Sequence, residues 1–479
     1  MAGFVEGTDR GQVSLLPESL DDWVDESNPV RVIDAFVEAL DLVGLGFGRV
    51  EPTGIGRPGY HPKVHLKLYI YGYLHRVQSS RRLECEAARN VEVMWLVERL
   101  APDFKTIADF RKDNGPAIKK VCAQFVELCR RMGLLTKASV AIDGSKFKAV
   151  NNRDKNFTVA KVERRRKQLE ESVARYLSQL DTADLQEPSE TITLKKVHLK
   201  DKLEKLKSEM AKLAAIENRM LATPDQQISL TDPDSRSMAT SGRGSGVVGY
   251  NVQTAVDTEH HLIVAHEVTN VGSDRSQLAN TAKAAKAALH VDELDAVADR
   301  GYFHGEEIKA CDEVGITVTL PKPSTSGAKS EGRFGKQDFV YLVDENVYRC
   351  PAGEKLKYYY TNEEKGQKLH RYWTNACRTC ALKAKCTKGP QRRITRWEHE
   401  EVLEAVQARL DRNPEAMRTR RETVEHPYGT IKMRMGATHF LCTTLPKVAT
   451  EMALCVLTYN LTRVINIVGV ERLLEAIKA

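Results

Sequence analysis

The sequence has no uninterrupted hydrophobic run that could cross a membrane and no apolar segment near its start. Its first residues, MAGFVEGTDRGQ, are mostly polar and include acids, so we expect no secretory signal and a cytoplasmic protein. The most apolar late segment, residues 452–470, is interrupted by Asn460, Arg463 and Asn466. We therefore predict a buried helix there and no membrane span.

The sequence also gives little reason to expect disulfide bonds or a strongly charged surface. The 479 residues include ten cysteines, which should stay reduced in the cytoplasm and serve as metal ligands or core residues. The net charge of +7 is modest for this length and is compatible with an anionic partner without identifying one. What is present, 42% hydrophobic and 29% charged residues, is ordinary for a soluble globular protein of about three domains.

Residues 1–135 are predicted to form a helical domain, with DNA binding as one candidate function. Asn28 followed by Pro29 is typical of a helix start, and apolar residues recur at helical spacing after them. The domain carries a set of basic residues: Arg57, Lys63, Lys67, Arg76, Arg81, Arg82, Arg111 and Lys112. Two interpretations are open, a helix-turn-helix that presents these cations to DNA or a solvated helical surface.

From residue 138 the hydrophobic pattern changes to alternating strands and helices. Strand patterns cover residues 139–150, 246–257, 262–269, 294–299 and 316–320, and helical patterns cover residues 276–290, 304–314 and 415–432. This order predicts an α/β core with a mixed sheet and helices packed on it. We assign the first core strand region to residues 136–159 and the rest of the core to residues 226–320.

Two segments interrupt this core. Residues 160–225 contain two heptad-like apolar series, which predict a helical hairpin whose arms pack on each other; contact with a partner or with DNA is the alternative. Residues 321–410 form a cysteine-containing, basic insertion. Residues 411–479 then supply a late helix and C-terminal helices that pack on the core.

Three acidic residues lie in or at the end of separate elements of this predicted core. Asp143 lies in the first strand, where it is either a turn residue with Gly144 or a carboxylate held at a functional edge of the sheet. Asp299 ends the fourth strand, and Glu425 lies on the late helix. We predict that the three carboxylates converge at one end of the sheet.

Converging carboxylates repel one another unless protons or cations neutralise them. Hard divalent ions accept several carboxylate oxygens, and two Mg²⁺ ions about 3.5–4 Å apart activate a nucleophilic oxygen and stabilise the leaving oxygen during attack on phosphate. The three acids therefore predict a metal site for phosphodiester chemistry.

Cations surround the third acid in the stretch MRTRRETVEHPYGTIKMR, residues 417–434. Steps of four and seven residues bring Arg421, Glu425 and Lys432 near one face of a helix. A solvated salt-bridge face is the commoner meaning of such a pattern, and a site that grips phosphate and metal together is the alternative. Pro427 is predicted to disturb the helix just after the acid.

The chain resembles the DDE transposases of bacterial insertion sequences, in the group with a tyrosine–arginine–glutamate–lysine signature. Four segments carry the resemblance: AIDGSKFKAV with Asp143, GYNVQTAVD at 249–257, AVADRGY with Asp299, and RETVEHPYGTIK with Glu425. The resemblance covers most of the chain, including the N-terminal helices, and implies a ribonuclease-H-like core.

Metal-dependent DNA transposition is the activity that this resemblance implies. Asp143, Asp299 and Glu425 would hold Mg²⁺ or Mn²⁺, an activated water would cut the element ends, and the exposed 3′-hydroxyls would attack target DNA. The implied partners are the terminal inverted repeats and target DNA, with a homodimer or larger assembly on the DNA and no membrane. The implied location is the bacterial cytoplasm, in association with the nucleoid.

The signature also assigns DNA contacts. Four basic residues are candidates for phosphate contacts: Arg421, Lys432, Lys146 and Arg418. Arg418 stands where the signature has tyrosine, so it can contact phosphate but offers no phenol. Glu422 competes with Glu425 for the catalytic position, and Glu425 is favoured because only it fits both the arginine and the lysine steps.

The insertion at residues 321–410 has its own candidate site. Four thiolates, from Cys350, Cys377, Cys380 and Cys386, could close a tetrahedral structural Zn²⁺ site, in which the C-x₂-C pair is the strongest local element. A reduced, metal-free cluster is the alternative.

A basic run includes the last two of these cysteines. Its cations lie in a nineteen-residue span without an acid: Arg378, Lys383, Lys385, Lys388, Arg392, Arg393 and Arg396. Such a run is suited to DNA phosphates, with Arg392 and Arg393 as candidates. Trp373 and Trp397 either stack on unpaired bases or belong to the core.

Two other functions are weighed against transposition. One is a catalytically inactive, transposase-derived DNA-binding regulator, which the presence of all three acids disfavours. The other is a ribonuclease-H-like nuclease that acts on RNA–DNA hybrids, for which the helical N-terminus and the basic insertion have no obvious use.

Overall fold

The N-terminal part of the protein is helical. The computed structural model describes residues 19–51, 58–187, 189–239, 246–323, 327 and 330–479. The first helices are α1 (Pro29–Glu38), α2 (Leu42–Leu45), α3 (Pro62–Leu74), α4 (Ser80–Arg89), α5 (Val91–Leu96), α6 (Phe104–Asp113) and α7 (Gly115–Arg131). The predicted start of α1 is confirmed, because the Asn28 side chain accepts a hydrogen bond from the Val30 N–H with Pro29 in the first turn.

The central sheet is mixed, as predicted. Its elements in chain order are β1 (Ser139–Lys148), then β4 (Arg236–Met238), β5 (Val247–Asp257), β6 (Ile263–Thr269), α10 (Leu278–Leu289), β7 (Leu294–Ala298), α11 (Gly305–Asp312) and β8 (Ile316–Thr319). The strand order is β4-β5-β1-β7-β8, with β6 also paired to β5. β5 is antiparallel to β1, whereas β7 is parallel to both β1 and β8. This arrangement is consistent with the ribonuclease-H-like core that the resemblance implies.

A long helical hairpin lies between β1 and β5 in the chain. It consists of α8 (Val159–Asp184) and α9 (Glu190–Leu221), flanked by the short paired strands β2 (Asn156–Thr158) and β3 (Gln227–Ser229). Apolar residues such as Val162, Leu169 and Leu213 pack where the arms meet the short strands. Ion pairs such as Lys196–Asp184, with 2.7 Å between Nζ and Oδ1, join the arms further out. The helices therefore form the predicted self-packed hairpin.

A second sheet follows the central one, and the sequence pattern did not predict it. Its strands are β9 (Val340–Leu342), β10 (Val347–Arg349), β11 (Lys355–Glu364), β12 (Gln367–Trp373) and β13 (Ile394–Trp397). Neighbouring strands in this sheet are antiparallel, in the order β13-β12-β11-β10-β9. Phe339, Tyr348, Leu356, Tyr372 and Ile394 form its small core.

The chain ends in helices that close the central sheet. These are α12 (Glu400–Arg412), α13 (Ala416–Gly429) with a π-helical turn at Thr430–Arg434, α14 (Leu445–Val468) and α15 (Val470–Lys478). By length and composition α14 could cross a membrane, but 83% of its most apolar window is buried in the protein. Asn460 explains the polar interruption of α14, because its side-chain amide hydrogen-bonds both the N–H and the carbonyl of Ile263 on β6.

The expected disturbance of the late helix at Pro427 is wrong. α13 continues through this proline, which is buried, and the irregular geometry begins only after Gly429. A proline inside a helix removes one backbone hydrogen bond, and a π-helical turn is a common local adjustment near functional sites. The geometry immediately around Glu425 is therefore that of an ordinary helix.

Candidate active site

Strand register places two of the predicted acids side by side. Ile142 on β1 pairs with Ala298 on the parallel strand β7, so the next residues, Asp143 and Asp299, emerge together at the same sheet edge. β1 continues past Asp143 to Lys148 along β5, which rules out a turn at Asp143 and Gly144. Of the three carboxylates predicted to converge, Asp143 and Asp299 therefore lie together at one edge of the sheet.

Arg420 on α13 reaches both aspartates. Its Nη2 lies 2.5 Å from Asp143 Oδ1 and 3.9 Å from Asp299 Oδ2. The Arg420 side chain is 16% exposed, against 22% for Asp143 and 44% for Asp299. The charge spacing had indicated the neighbouring Arg421 instead. Arg420 lies four residues before the buried Val424 and so shares its inward helix face, which is the signal that could have identified it.

The environment of Asp143 disfavours its charge. Burial raises the pKa of this carboxyl to about 6, and the nearby Asp299 and Asp274 carboxylates add to the increase. The Arg420 guanidinium and the Gly144 N–H, which donates to Asp143 Oδ1 at 2.9 Å, act in the opposite direction. A further positive charge beside Asp143 would therefore stabilise the ionised form of this carboxyl group.

A fourth acid, Asp274, organises the polar side chains next to Asp143. Asn251 Nδ2 and Gln253 Nε2 donate to Asp274 Oδ1 at 2.7 and 2.9 Å, and Lys146 Nζ lies 3.2 Å from the same oxygen. Lys146, a predicted phosphate contact, is thus held in an ion pair inside the site. The sequence analysis did not identify Asp274, which lies in a loop without a strand or helix pattern.

Lys432 packs against β1. Its Nζ donates to Ser145 Oγ at 2.6 Å and to the Lys146 carbonyl at 3.1 Å, and it lies 4.5 Å from the centre of the Phe147 ring. Burial lowers the pKa of this ammonium group. Lys432 therefore lies beside the strand that carries Asp143, where its hydrogen-bond partners are neutral oxygens.

The outer side of α13 carries the remaining predicted residues. Arg421 and Glu425 are exposed there, and Arg418 Nε pairs with Glu422 Oε1 at 3.0 Å. The expected common face of Arg421, Glu425 and Lys432 is not formed, because Lys432 turns towards β1 across the π-helical turn.

Tyr428 fixes the rotation of α13 that produces this arrangement. Its hydroxyl lies 2.7 Å from the Val252 carbonyl and 3.0 Å from the Asp143 carbonyl, and it accepts a hydrogen bond from Thr254 Oγ1. Glu425, three residues before Tyr428, is nevertheless exposed on the outer side of α13. Within the described ranges, no three His, Cys, Asp or Glu side chains are placed to hold a metal ion.

The four cysteines of the second insertion line one small cavity of about 20 Å³. Cys350 follows β10, and Cys377, Cys380 and Cys386 belong to the segment between β12 and β13. All four thiols are free. Burial raises the pKa of the Cys386 thiol, and the other three thiols add to the increase. The cavity also has an apolar lining that includes Phe339 and Leu356, so the four cysteines surround a poorly hydrated pocket.

The second sheet also shows what the two tryptophans do. Trp397 is buried, which makes it a core residue. Trp373 stacks on Tyr359 with ring centres 3.6 Å apart, and the Arg393 guanidinium lies 5.3 Å from the Trp373 ring. Arg392 lies over Phe339 beside the cysteine cavity.

Several basic side chains of the N-terminal helices form ion pairs or hydrogen bonds within the protein. Lys67 is buried and pairs with Asp34 Oδ1 at 2.6 Å, and Arg111 Nη1 donates to the Tyr73 hydroxyl at 3.1 Å. Lys63 pairs with Glu38, and Arg57 lies outside the described residues. The predicted basic surface of this region is therefore smaller than the sequence indicated.

Two family models match the chain. Residues 18–113 match a model described as "Transposase domain (DUF772)", and residues 349–465 match one described as "Transposase DDE domain". The chain therefore carries a transposase domain over α1–α6 and a transposase DDE domain that includes Glu425. Asp143 and Asp299 lie outside the two matched ranges. The two matched segments therefore support the predicted DDE transposase at the level of these domains, and the insertion-sequence group and its signature stay predictions.

Comparison with individual proteins adds one match. No curated protein matches the chain. Among solved structures it is similar to one described as "Cryo-EM structure of piggyBac transposase synaptic complex with hairpin DNA (SNHP)", at 8% sequence identity and a TM-score of 0.31. The match covers 92% of this chain and 75% of the other.

Proposed function

Because the chain carries a transposase domain and a transposase DDE domain, we propose that it is an active DNA transposase of a bacterial insertion sequence. It binds the terminal inverted repeats of its element, cleaves the DNA by metal-dependent hydrolysis and joins the 3′-hydroxyl ends to target DNA. The observation that carries this proposal is the register of β1 and β7, which sets Asp143 beside Asp299 at one sheet edge.

Mg²⁺ or Mn²⁺ is the cofactor that we propose for this site. The two converging carboxylates fit a hard divalent cation, since they already share one positive group, the Arg420 guanidinium. Asp143 and Asp299 would hold the metal, and Glu425 is the proposed third ligand although it is exposed on α13. A bound metal would supply Lewis-acid stabilisation of the phosphodiester under attack.

The chain's own cations are proposed to bind and orient the DNA. Lys432 and Lys146 lie at the inner end of the site, beside β1, whereas Arg421 and Arg418 line the exposed side of α13. Phosphates that cross this helix would meet both groups. Since two DNA ends must be brought together, we also propose a homodimer or larger assembly on DNA.

The second sheet is proposed to be a structural zinc module that contacts DNA. Four cysteines are the ligand type of a structural Zn²⁺ site and they line one cavity, so metal binding would draw together side chains that are not arranged as a metal site in this structure. Arg392 and Arg393 are proposed to contact phosphates from this module, where they lie over Phe339 and Trp373.

Cleavage of labelled element ends by purified protein with Mg²⁺ tests the proposed function. The ends come from the DNA that flanks the gene, where terminal inverted repeats and short target duplications are expected. D143N should bind these ends as the wild type does and fail to cut them. Cutting by pure D143N protein would overturn the assignment.

A matched pair of variants tests the third ligand. E425Q should abolish cleavage, whereas E422Q, which changes the neighbouring acid paired with Arg418, should retain it. Loss of cleavage with E422Q and not with E425Q would assign the third ligand to Glu422, one turn earlier in the helix.

A further inference from the structure

The Arg420 guanidinium lies near both aspartates, where a positive charge reduces the repulsion between their carboxylates. Its side chain comes from α13, a late helix, and reaches the ends of β1 and β7. In the described part of the chain it is the cation that pairs with both Asp143 and Asp299. Adjacent carboxylates repel one another, so the guanidinium stabilises the site in the metal-free protein.

The bonding of Arg420 is incomplete. Its Nε is buried without a hydrogen-bond partner, and its distance of 3.9 Å to Asp299 Oδ2 is too long for a hydrogen bond. Arg371 on β12 differs, because its Nε, Nη1 and Nη2 all donate, to Asn362, Thr395 and Glu364. Arg420 is therefore held mainly by charge and by one close contact, which lowers the cost of moving it.

We propose that Arg420 is the resident cation of the metal-free site and competes with the divalent metal for Asp143. A metal ion bound to the Asp143 carboxylate would lie close to the guanidinium, which contacts Asp143 Oδ1, and the two cations would repel each other. The metal therefore binds more strongly to molecules in which Arg420 has moved away from Asp143. The measured metal affinity is then reduced by the fraction of molecules in which Arg420 occupies the site. This inference rests on the proposed function, in which Asp143 and Asp299 hold the metal.

Mn²⁺ binding to the DNA-free protein, measured by electron paramagnetic resonance, tests the proposal. R420Q should bind Mn²⁺ at least about tenfold more tightly than the wild type, because the competing cation is gone. R412Q is the control, since it removes the same charge from an exposed arginine on α12 that has no role in the proposed site, and it should change the affinity by less than about twofold. Equal affinities of R420Q and R412Q would overturn the proposal.

D143N separates failure of this inference from failure of the proposed function. If D143N binds Mn²⁺ as tightly as the wild type, the metal is not at Asp143 and the proposed function is contradicted. If D143N loses Mn²⁺ while R420Q matches R412Q, only the competition by Arg420 is contradicted.

Thermal unfolding gives an independent readout. R420Q leaves two carboxylates without their cation, so it should melt below R412Q in chelator and gain more from Mn²⁺ than R412Q does. Should R420Q fail to fold, R420M and R412M carry the test. R420M removes the charge but keeps a long unbranched side chain, so it should bind Mn²⁺ more tightly than R412M, and equal affinities would again overturn the proposal.

Discussion

At the residue scale, Tyr428 connects the late helix to the strand that carries Asp143. Its ring is buried, and its hydroxyl lies among the Val252 carbonyl, the Asp143 carbonyl and the Thr254 hydroxyl. Burial raises the pKa of this phenol well above its usual value, so it remains a neutral donor. Tyr428 thereby sets which side chains of α13 face the two aspartates.

Y428F should destabilise the protein by about 1–3 kcal/mol, because buried polar partners lose their hydrogen bond. Urea unfolding monitored by circular dichroism measures this difference. Y359F removes a hydroxyl from an exposed tyrosine on β11 and should change the stability by less than about 0.5 kcal/mol. Equal effects of the two variants would contradict the structural role of Tyr428.

His65 on α3 should make the protein sensitive to acid. The ring is 3% exposed and stacks on Phe110 with centres 5.1 Å apart, and burial lowers the pKa of this histidine to about 4. Since the unfolded chain takes up the proton near pH 6.5, stability is lost as the pH falls from about 6.5 to about 4, by up to roughly 3 kcal/mol.

H65F should flatten this part of the pH–stability curve, measured as the urea midpoint between pH 7 and pH 4. H439Q, which changes an exposed histidine, should leave the slope as in the wild type. An unchanged slope in H65F would show that another group causes the acid sensitivity.

The residues of the site differ in how far the sequence could predict them. Asp143 and Asp299 could be predicted because each ends or interrupts a clear strand pattern, and the order of strands then brings them together. The spacing of charged residues could not show whether Arg420 or Arg421 faces the aspartates, because the rotation of α13 depends on the buried contacts of Tyr428. The sequence could not identify Asp274 as a residue of the site, since only tertiary contacts bring its loop there.

At the scale of elements, long and strongly patterned segments were predictable. The apolar series of the hairpin and the alternation in the central sheet gave the right element types in the right order. The second sheet was not predictable, because β9 and β10 have three residues each and β11 is exposed along most of its length. Such strands lack the period-two apolar pattern that identifies a half-buried strand.

The cysteine cavity leads to a prediction for the second sheet. Protein purified without chelator should contain about one zinc ion per chain, as measured by inductively coupled plasma mass spectrometry. C380S should lose the zinc, because the remaining thiols no longer complete a tetrahedral set. C85S, which changes an exposed cysteine on α4, should retain it. Gently purified wild-type protein without zinc would contradict the module.

At the scale of the whole molecule, the site is assembled from segments that are far apart in the chain. Asp143 and Asp299 come from the central sheet, whereas Arg420 and Glu425 come from a helix that follows the whole second sheet. α14 then packs against α3, α7 and β6, which joins the N-terminal helices to the core. The relative position of α13 and the central sheet therefore determines whether the third acid can join the other two.

The central claim is that the acids at the edge of β1 and β7 cut DNA. The most direct measurement is the rate at which purified protein with Mg²⁺ cleaves labelled element ends, compared for D299N and D295N. Asp295 lies at the opposite end of β7 and is exposed, so D295N should cut at the wild-type rate. D299N should lose roughly a thousandfold, since metal stabilisation of the transition state is worth several kcal/mol. Cleavage by D299N at the rate of D295N would contradict the claim.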